Sequence, residues 1–98
     1  MNVTMNRHDK ELTVALEGRL DTLSSPELEE QLGPALEDTE RLIFDLEGLK
    51  YISSAGLRVL LSAQKEMNEK GEMTVTNVSP EVMEVFEITG FTDFLTIE

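Results

Sequence analysis

The sequence predicts an α/β fold: a mixed sheet of about four to five strands, helices packed mainly on one face, and the order β-β-α-β-α-β-α-β. Three observations lead there. Val3 and Met5, and again Leu12, Val14 and Leu16, alternate with polar neighbours, as two half-buried strands do. The run Leu42-Ile43-Phe44-Asp45-Leu46 is apolar on both faces except for Asp45, as in a central strand. Between and after these lie stretches with apolar residues at helical spacing, and repeated strand–helix–strand units favour right-handed crossovers into one sheet.

Taken in order, the first two strands are joined at Asp9-Lys10, a plausible hairpin turn, and Gly18-Arg19-Leu20-Asp21 ends the alternation. Ser24 and Glu27 have capping-box spacing and Pro26 falls in the first turn, where a missing N–H costs nothing. Leu28, Leu32, Ala35 and Leu36 then mark a helix. Gly33-Pro34 interrupts it, because proline removes the bond to Glu30 and crowds its carbonyl; a kink or restart is expected, with the last turn near Asp38. The central strand covers 42–46. A second helix runs from about Ala55 to Lys70, with Leu57, Leu60, Leu61 and Met67 inward and Gly71 as its C-terminal cap. Met73 and Val75 alternate with Thr74 and Thr76 in a further strand. Ser79-Pro80-Glu81 opens a third helix that turns Val82, Val85 and Phe86 inward and stops at Gly90. Phe91, Phe94, Leu95 and Ile97 suggest a short closing strand.

Composition narrows the function. A chain of 98 residues holds one domain, 1–98, with a modest core. Twenty acidic residues against 8 basic ones give a net charge of −12, which repels nucleic acid and anionic membrane surfaces but leaves a basic or mixed protein surface open as partner. With no cysteine and a single histidine, His8, there is no thiol chemistry, no basis for a metal site and no histidine-based triad. No cofactor is expected. Residues 1–8 lack the apolar core of a signal peptide and no segment approaches a membrane span, so the expected address is the cytoplasm.

The chemistry concentrates in Tyr51-Ile52-Ser53-Ser54-Ala55-Gly56-Leu57-Arg58, where a strand hands over to a helix. The first N–H groups of that helix lack partners, and its dipole adds partial positive charge there. A phosphate on Ser53 or Ser54 would meet donors already in position. Serine is also a preferred N-cap, and local chemistry leaves both readings open. Nothing nearby could activate either hydroxyl as a nucleophile, so a binding module is expected rather than an enzyme.

Element order and central stretch together resemble the STAS domain family, and within it the small bacterial anti-sigma-factor antagonists. The likeness rests on Gly18-Arg19-Leu20-Asp21 before the first helix, Phe44-Asp45-Leu46-Glu47-Gly48-Leu49 at the strand end, Ile52-Ser53-Ser54-Ala55-Gly56-Leu57 in the loop, and Asn77-Val78-Ser79-Pro80 with Ile88-Thr89-Gly90-Phe91 in the tail.

The resemblance implies a partner-switching mechanism. An unmodified antagonist binds an anti-sigma factor, often itself an ATP-dependent serine kinase, which phosphorylates the loop serine and is then released; a metal-dependent serine phosphatase reverses the step. Carried over, the acceptor is Ser54, with Ser53 the second choice. Asp21, Ser53, Ser54, Gly56, Leu57 and Arg58 would form the contact surface. Ser53 stands where the family usually has aspartate, Ala55 where it has Ser or Thr, and Arg58 where it has glycine, so a kinase meets a less acidic site with a cation beside it. The alternative is an adaptor or scaffold subunit of a larger regulatory or transport complex, whose loop is never modified.

Overall fold

The structure, a computed structural model, describes residues 1–98. Strand β1 (Asn2–His8) pairs antiparallel with β2 (Glu11–Leu20) through the two-residue loop Asp9-Lys10. Asp9 takes the left-handed conformation there, φ 59°, which aspartate tolerates in turns. Helix α1 (Ser25–Leu36) leads to β3 (Arg41–Ile52), α2 (Ser54–Asn68) to β4 (Glu72–Thr76), and α3 (Pro80–Thr89) to a 3₁₀ turn at Phe91–Asp93. The four strands lie in the order β1-β2-β3-β4, with β2, β3 and β4 parallel. No helix is long and apolar enough to cross a membrane.

Strand order explains which face is covered. β2-α1-β3 and β3-α2-β4 step the same way across the sheet, so two right-handed crossovers put α1 and α2 on one face. Burial agrees. Leu12, Val14 and Leu16, Leu42, Phe44 and Leu46, and Met73 and Val75 are buried, while Thr13, Ala15, Ile43, Asp45 and Thr76 on the opposite pleat are half-buried. Leu28, Leu32 and Leu36 of α1, Leu57, Leu60, Ala63 and Met67 of α2, and Val82 and Phe86 of α3 complete the core. A fully buried Leu or Phe of this kind contributes about 1.5–3 kcal/mol.

Several expectations change. The predicted strand 42–46 is the first part of a longer one. Beyond Asp45, β3 carries two more residues than β2: Ala15 faces Asp45 but Glu17 faces Gly48, and Gly18 faces Leu49 but Arg19 faces Tyr51. These bulges turn Leu46, Leu49 and Ile52, spaced three apart, all toward the core, a spacing that alternation does not reveal. Gly48 keeps the strands close: a Cβ there would stand 2.9 Å from Glu17 Cγ and 3.3 Å from its Cα, so Glu17 would have to shift.

Helix α1 continues through Gly33-Pro34 without a restart and ends at Leu36. Pro34 lies in the last turn, so the lost bond to Glu30 is confined to the helix end, and Gly33, lacking a Cβ, removes part of the clash that drives a residue before proline out of the helical region. The last turn of α1 contains no basic residue, and its carbonyls are met from outside: Arg7 of β1 donates to Ala35, and also to Asp38 just past the helix, and Lys70 donates to Leu36.

Gly71 is not a left-handed cap. α2 ends at Asn68, and Gly71 lets the chain press against the carbonyl of Glu40, where a Cβ would come within 1.8 Å of the oxygen. The closing strand reduces to a single parallel bridge between Ile97 and Val75, with the Val75 N–H donating to the Thr96 carbonyl at 2.8 Å. Gly90, at φ 79°, ends α3 as expected, but the 3₁₀ turn then consumes the residues a strand would need.

Candidate functional site

β2 and β3 end side by side, Leu20 opposite Ile52; β3 passes into α2 through Ser53 alone, and β2 reaches α1 through the turn at 21–24. The Ser53 N–H donates to the Leu20 carbonyl at 2.9 Å, which ties the start of α2 to the end of β2. Gly56 makes the joint close: a Cβ there would lie 2.8 Å from both Ile52 Cγ1 and Leu20 Cγ. The first turn of α2 therefore rests directly on the two strand ends, and Asp21 and Ser53 come together from residues 32 apart in the chain.

Ser53 is the N-cap of α2. Its backbone is extended and its Oγ accepts from the Gly56 N–H at 3.4 Å. Ser54 is the first helical residue and is exposed. The N–H groups of Ser54 and Ala55 have no acceptor, as helix geometry requires at positions whose partners would lie before the helix. Local structure thus divides the two serines: Ser53 is occupied by capping, and Ser54 is unoccupied beside free donors.

Asp21 closes the neighbouring turn. Its Oδ1 accepts from the N–H groups of Leu23 and Ser24, each at 3.1 Å, and its Oδ2 lies 3.9 Å from Arg19 Nε. These donors, the Ser24 N–H foremost, hold the carboxyl below its ordinary pKa of 3.8 against a smaller upward push from desolvation. The Ser24–Glu27 capping box does not form. Ser24 holds the N-cap position, but with its backbone in the helical region, and its Oγ turns back to accept from the Asp21 N–H at 2.9 Å and donate to the Arg19 carbonyl at 2.8 Å. The turn signal at Asp21 wins the competition for that hydroxyl.

Of the six expected contact residues, Asp21, Ser53, Ser54 and Arg58 reach solvent, Asp21 and Ser53 only in part. Gly56 and Leu57 are buried, so they position the loop and offer no side chain to a partner. The resemblance implied contact through both; the helical turn points them inward.

Three features escaped the sequence reading. Leu23 stands 89% exposed at the tip of the Asp21 turn. The Arg19 guanidinium lies over the Tyr51 ring, 4.2 Å from its centre. A cleft of about 220 Å³ opens between the starts of α1 and α2, lined by Thr22, Ser25, Pro26, Glu29, Ala55, Arg58 and Val59. In it, the Ser25 hydroxyl is buried, with the residue 3% exposed, and has no hydrogen-bond partner. The exposed Leu23 is a visible oddity in a turn, but the stack and the cleft depend on register and helix docking and leave no local signal.

The STAS domain family pattern matches residues 2–98. BtrV of Bordetella bronchiseptica, provisionally named an anti-sigma factor antagonist, is 40% identical over 93 residues, 93% of this chain and 80% of that one. The anti-sigma-B factor antagonist of Staphylococcus aureus is 34% identical over 99 aligned positions, 99% of this chain and 92% of that one. Unphosphorylated SpoIIAA, an anti-sigma factor antagonist of Bacillus, superposes with a TM-score of 0.86 at 20% identity, covering 99% of this chain and 88% of its own. That last likeness is one of fold.

Proposed function

The chain belongs to the STAS domain family, and on that footing we propose that it is an anti-sigma-factor antagonist whose binding is switched by phosphate on Ser54. Unmodified, it docks on an anti-sigma factor that is also an ATP-dependent serine kinase. Phosphorylation of Ser54 ends the complex, and a serine phosphatase restores it. The chain acts as a binding module and carries out no chemistry of its own; its one reactive contribution is the acceptor hydroxyl.

The observation that carries this reading is the position of Ser54: exposed, first in a helix, beside unpartnered N–H groups, on a turn pinned to β2. A phosphate adds roughly −1.5 to −2 charge. On this chain the charge is tolerated, because helix donors face it. At a closed interface it must be desolvated or paired by the partner, and a carboxylate or apolar surface opposite would expel it. The fold need not move. Asp21, Ser53 and Arg58 share the docking surface, and the net charge of −12 favours a partner with a basic or mixed face.

The test is to incubate the protein with the kinase and ATP and map the modified residue by mass spectrometry. Phosphate on Ser54, retained in Ser53→Ala and absent from Ser54→Ala, supports the reading. Phosphate confined to another residue rejects it and favours an unmodified adaptor.

A further inference from the structure

We propose that a phosphate on Ser54 is held by Arg58 of the same helix, which leaves the α1–α2 cleft to reach it. The inference rests on Ser54 as the acceptor and adds how this chain handles the modified state.

Arg58 is the one arginine without a partner. Of the four in the chain, Arg7 bonds Thr39 and the carbonyls of Ala35 and Asp38, Arg19 pairs with Asp21, and Arg41 pairs with Glu11 at 3.6 Å. In a chain of net charge −12, an unpaired guanidinium is the exception. It also stands where a phosphate would need it. Four residues at 100° each bring Arg58 to within about 40° of Ser54 around the helix and about 6 Å along it, within reach of a long side chain.

The cleft is short of acceptors. Around it lie the free N–H groups of Ser54 and Ala55, the unpartnered Ser25 hydroxyl and the Arg58 guanidinium, and Glu29 is its only carboxylate. Arg58 stands between the direction of Ser54 and that of Ala55, so one rotation of its side chain moves the charge from cleft to phosphate. A dianionic phosphate is the stronger attractor, since guanidinium meets its oxygens through two parallel N–H donors. The cation presented to a partner in the unmodified state is then consumed inside the chain.

The experiment titrates phosphoserine incorporated at position 54 during translation, read by phosphorus NMR, in otherwise wild-type protein, in Arg58→Gln and in Lys65→Gln. Arg58 and Lys65 are both exposed, so both variants should fold, and they remove the same charge from the same helix. A cation in contact favours the dianion, so the phosphate's second ionisation should rise by about 0.3 pH unit or more in Arg58→Gln. It should be unmoved in Lys65→Gln. Equal midpoints in wild type and Arg58→Gln, or equal shifts in the two variants, would overturn the contact. Because translation places the phosphate, this result stands apart from whether any kinase modifies Ser54.

Discussion

Gly56→Ala adds one methyl group where the fold has no room. The new carbon would lie 2.8 Å from Ile52 Cγ1, 2.8 Å from Leu20 Cγ and 3.0 Å from Leu20 Cδ2, against a comfortable carbon–carbon separation of about 3.5–4.0 Å. Two of these are atoms near the root of a packed side chain, so relief requires moving α2 or the ends of β2 and β3. Overpacking of this kind costs about 1–3 kcal/mol. Alanine's better helix propensity returns up to about 1 kcal/mol. The net expectation is a loss of about 1–2 kcal/mol, read as a fall in the urea midpoint of roughly 1 M with an unchanged slope. Ser54 moves with the helix start, so affinity for the anti-sigma factor should fall even in conditions where the variant is fully folded. Combining it with Leu20→Ala, which removes two of the three clashing atoms, should cost less than the sum of the two changes. A midpoint equal to or above wild type would refute the close joint, and with it the account of how the acceptor is positioned.

Gly71→Ala should be worse, at about 3 kcal/mol or more, because its methyl meets the Glu40 backbone carbonyl, which cannot rotate away; denaturant titration checks this. Ser53→Ala should lose about 0.5–1 kcal/mol of stability through its long cap bond while still accepting phosphate on Ser54, measured by unfolding and mass spectrometry side by side. Lys70→Met should cost about 1 kcal/mol by leaving the Leu36 carbonyl at the end of α1 without its cationic donor, with part of the loss mimicked by salt in wild type. The Asp21 carboxyl should titrate below 3.8 by NMR. Its folded value is the lower one, so its stabilisation is complete above about pH 4 and disappears as pH falls through the folded pKa, and Asp21→Asn should flatten that part of the acid-unfolding curve.

Much of this was legible in the chain. Alternation located β1, β2 and β4, serine followed by proline located the start of α3, and Gly90 its end. The part that failed did so for physical reasons. β3 was read as far as Leu46 because two bulges replace alternation by a three-residue spacing, which carries no strand signature. Gly33-Pro34 looked like a break because proline removes the bond to Glu30 and crowds its carbonyl, but Pro34 falls in the last turn of α1, where the loss is confined to the helix end. Ser24 looked like a cap because the capping-box pattern is local, whereas Asp21 competes for the same hydroxyl from outside the helix. At the site, the strand-to-helix handover and the exposed Ser54 followed from pattern. The inward turn of Leu57 was also legible from helical spacing, but the close seat of Gly56 on Leu20 and Ile52, and the cleft that Arg58 shares with Ser25 and Glu29, follow only once the elements are docked.

The central claim is that one phosphate on Ser54 decides binding without refolding the chain. The direct measurement is calorimetric titration of the anti-sigma factor with two preparations, unmodified and phosphorylated on Ser54, with unfolding midpoints recorded for both. Placing a like charge or an unpaired phosphate in a closed interface costs several kcal/mol, so the modified form should bind at least about 100-fold more weakly while its midpoint stays close to that of the unmodified form. Equal affinity for the two forms, or a loss of binding that tracks a loss of stability, would contradict the account.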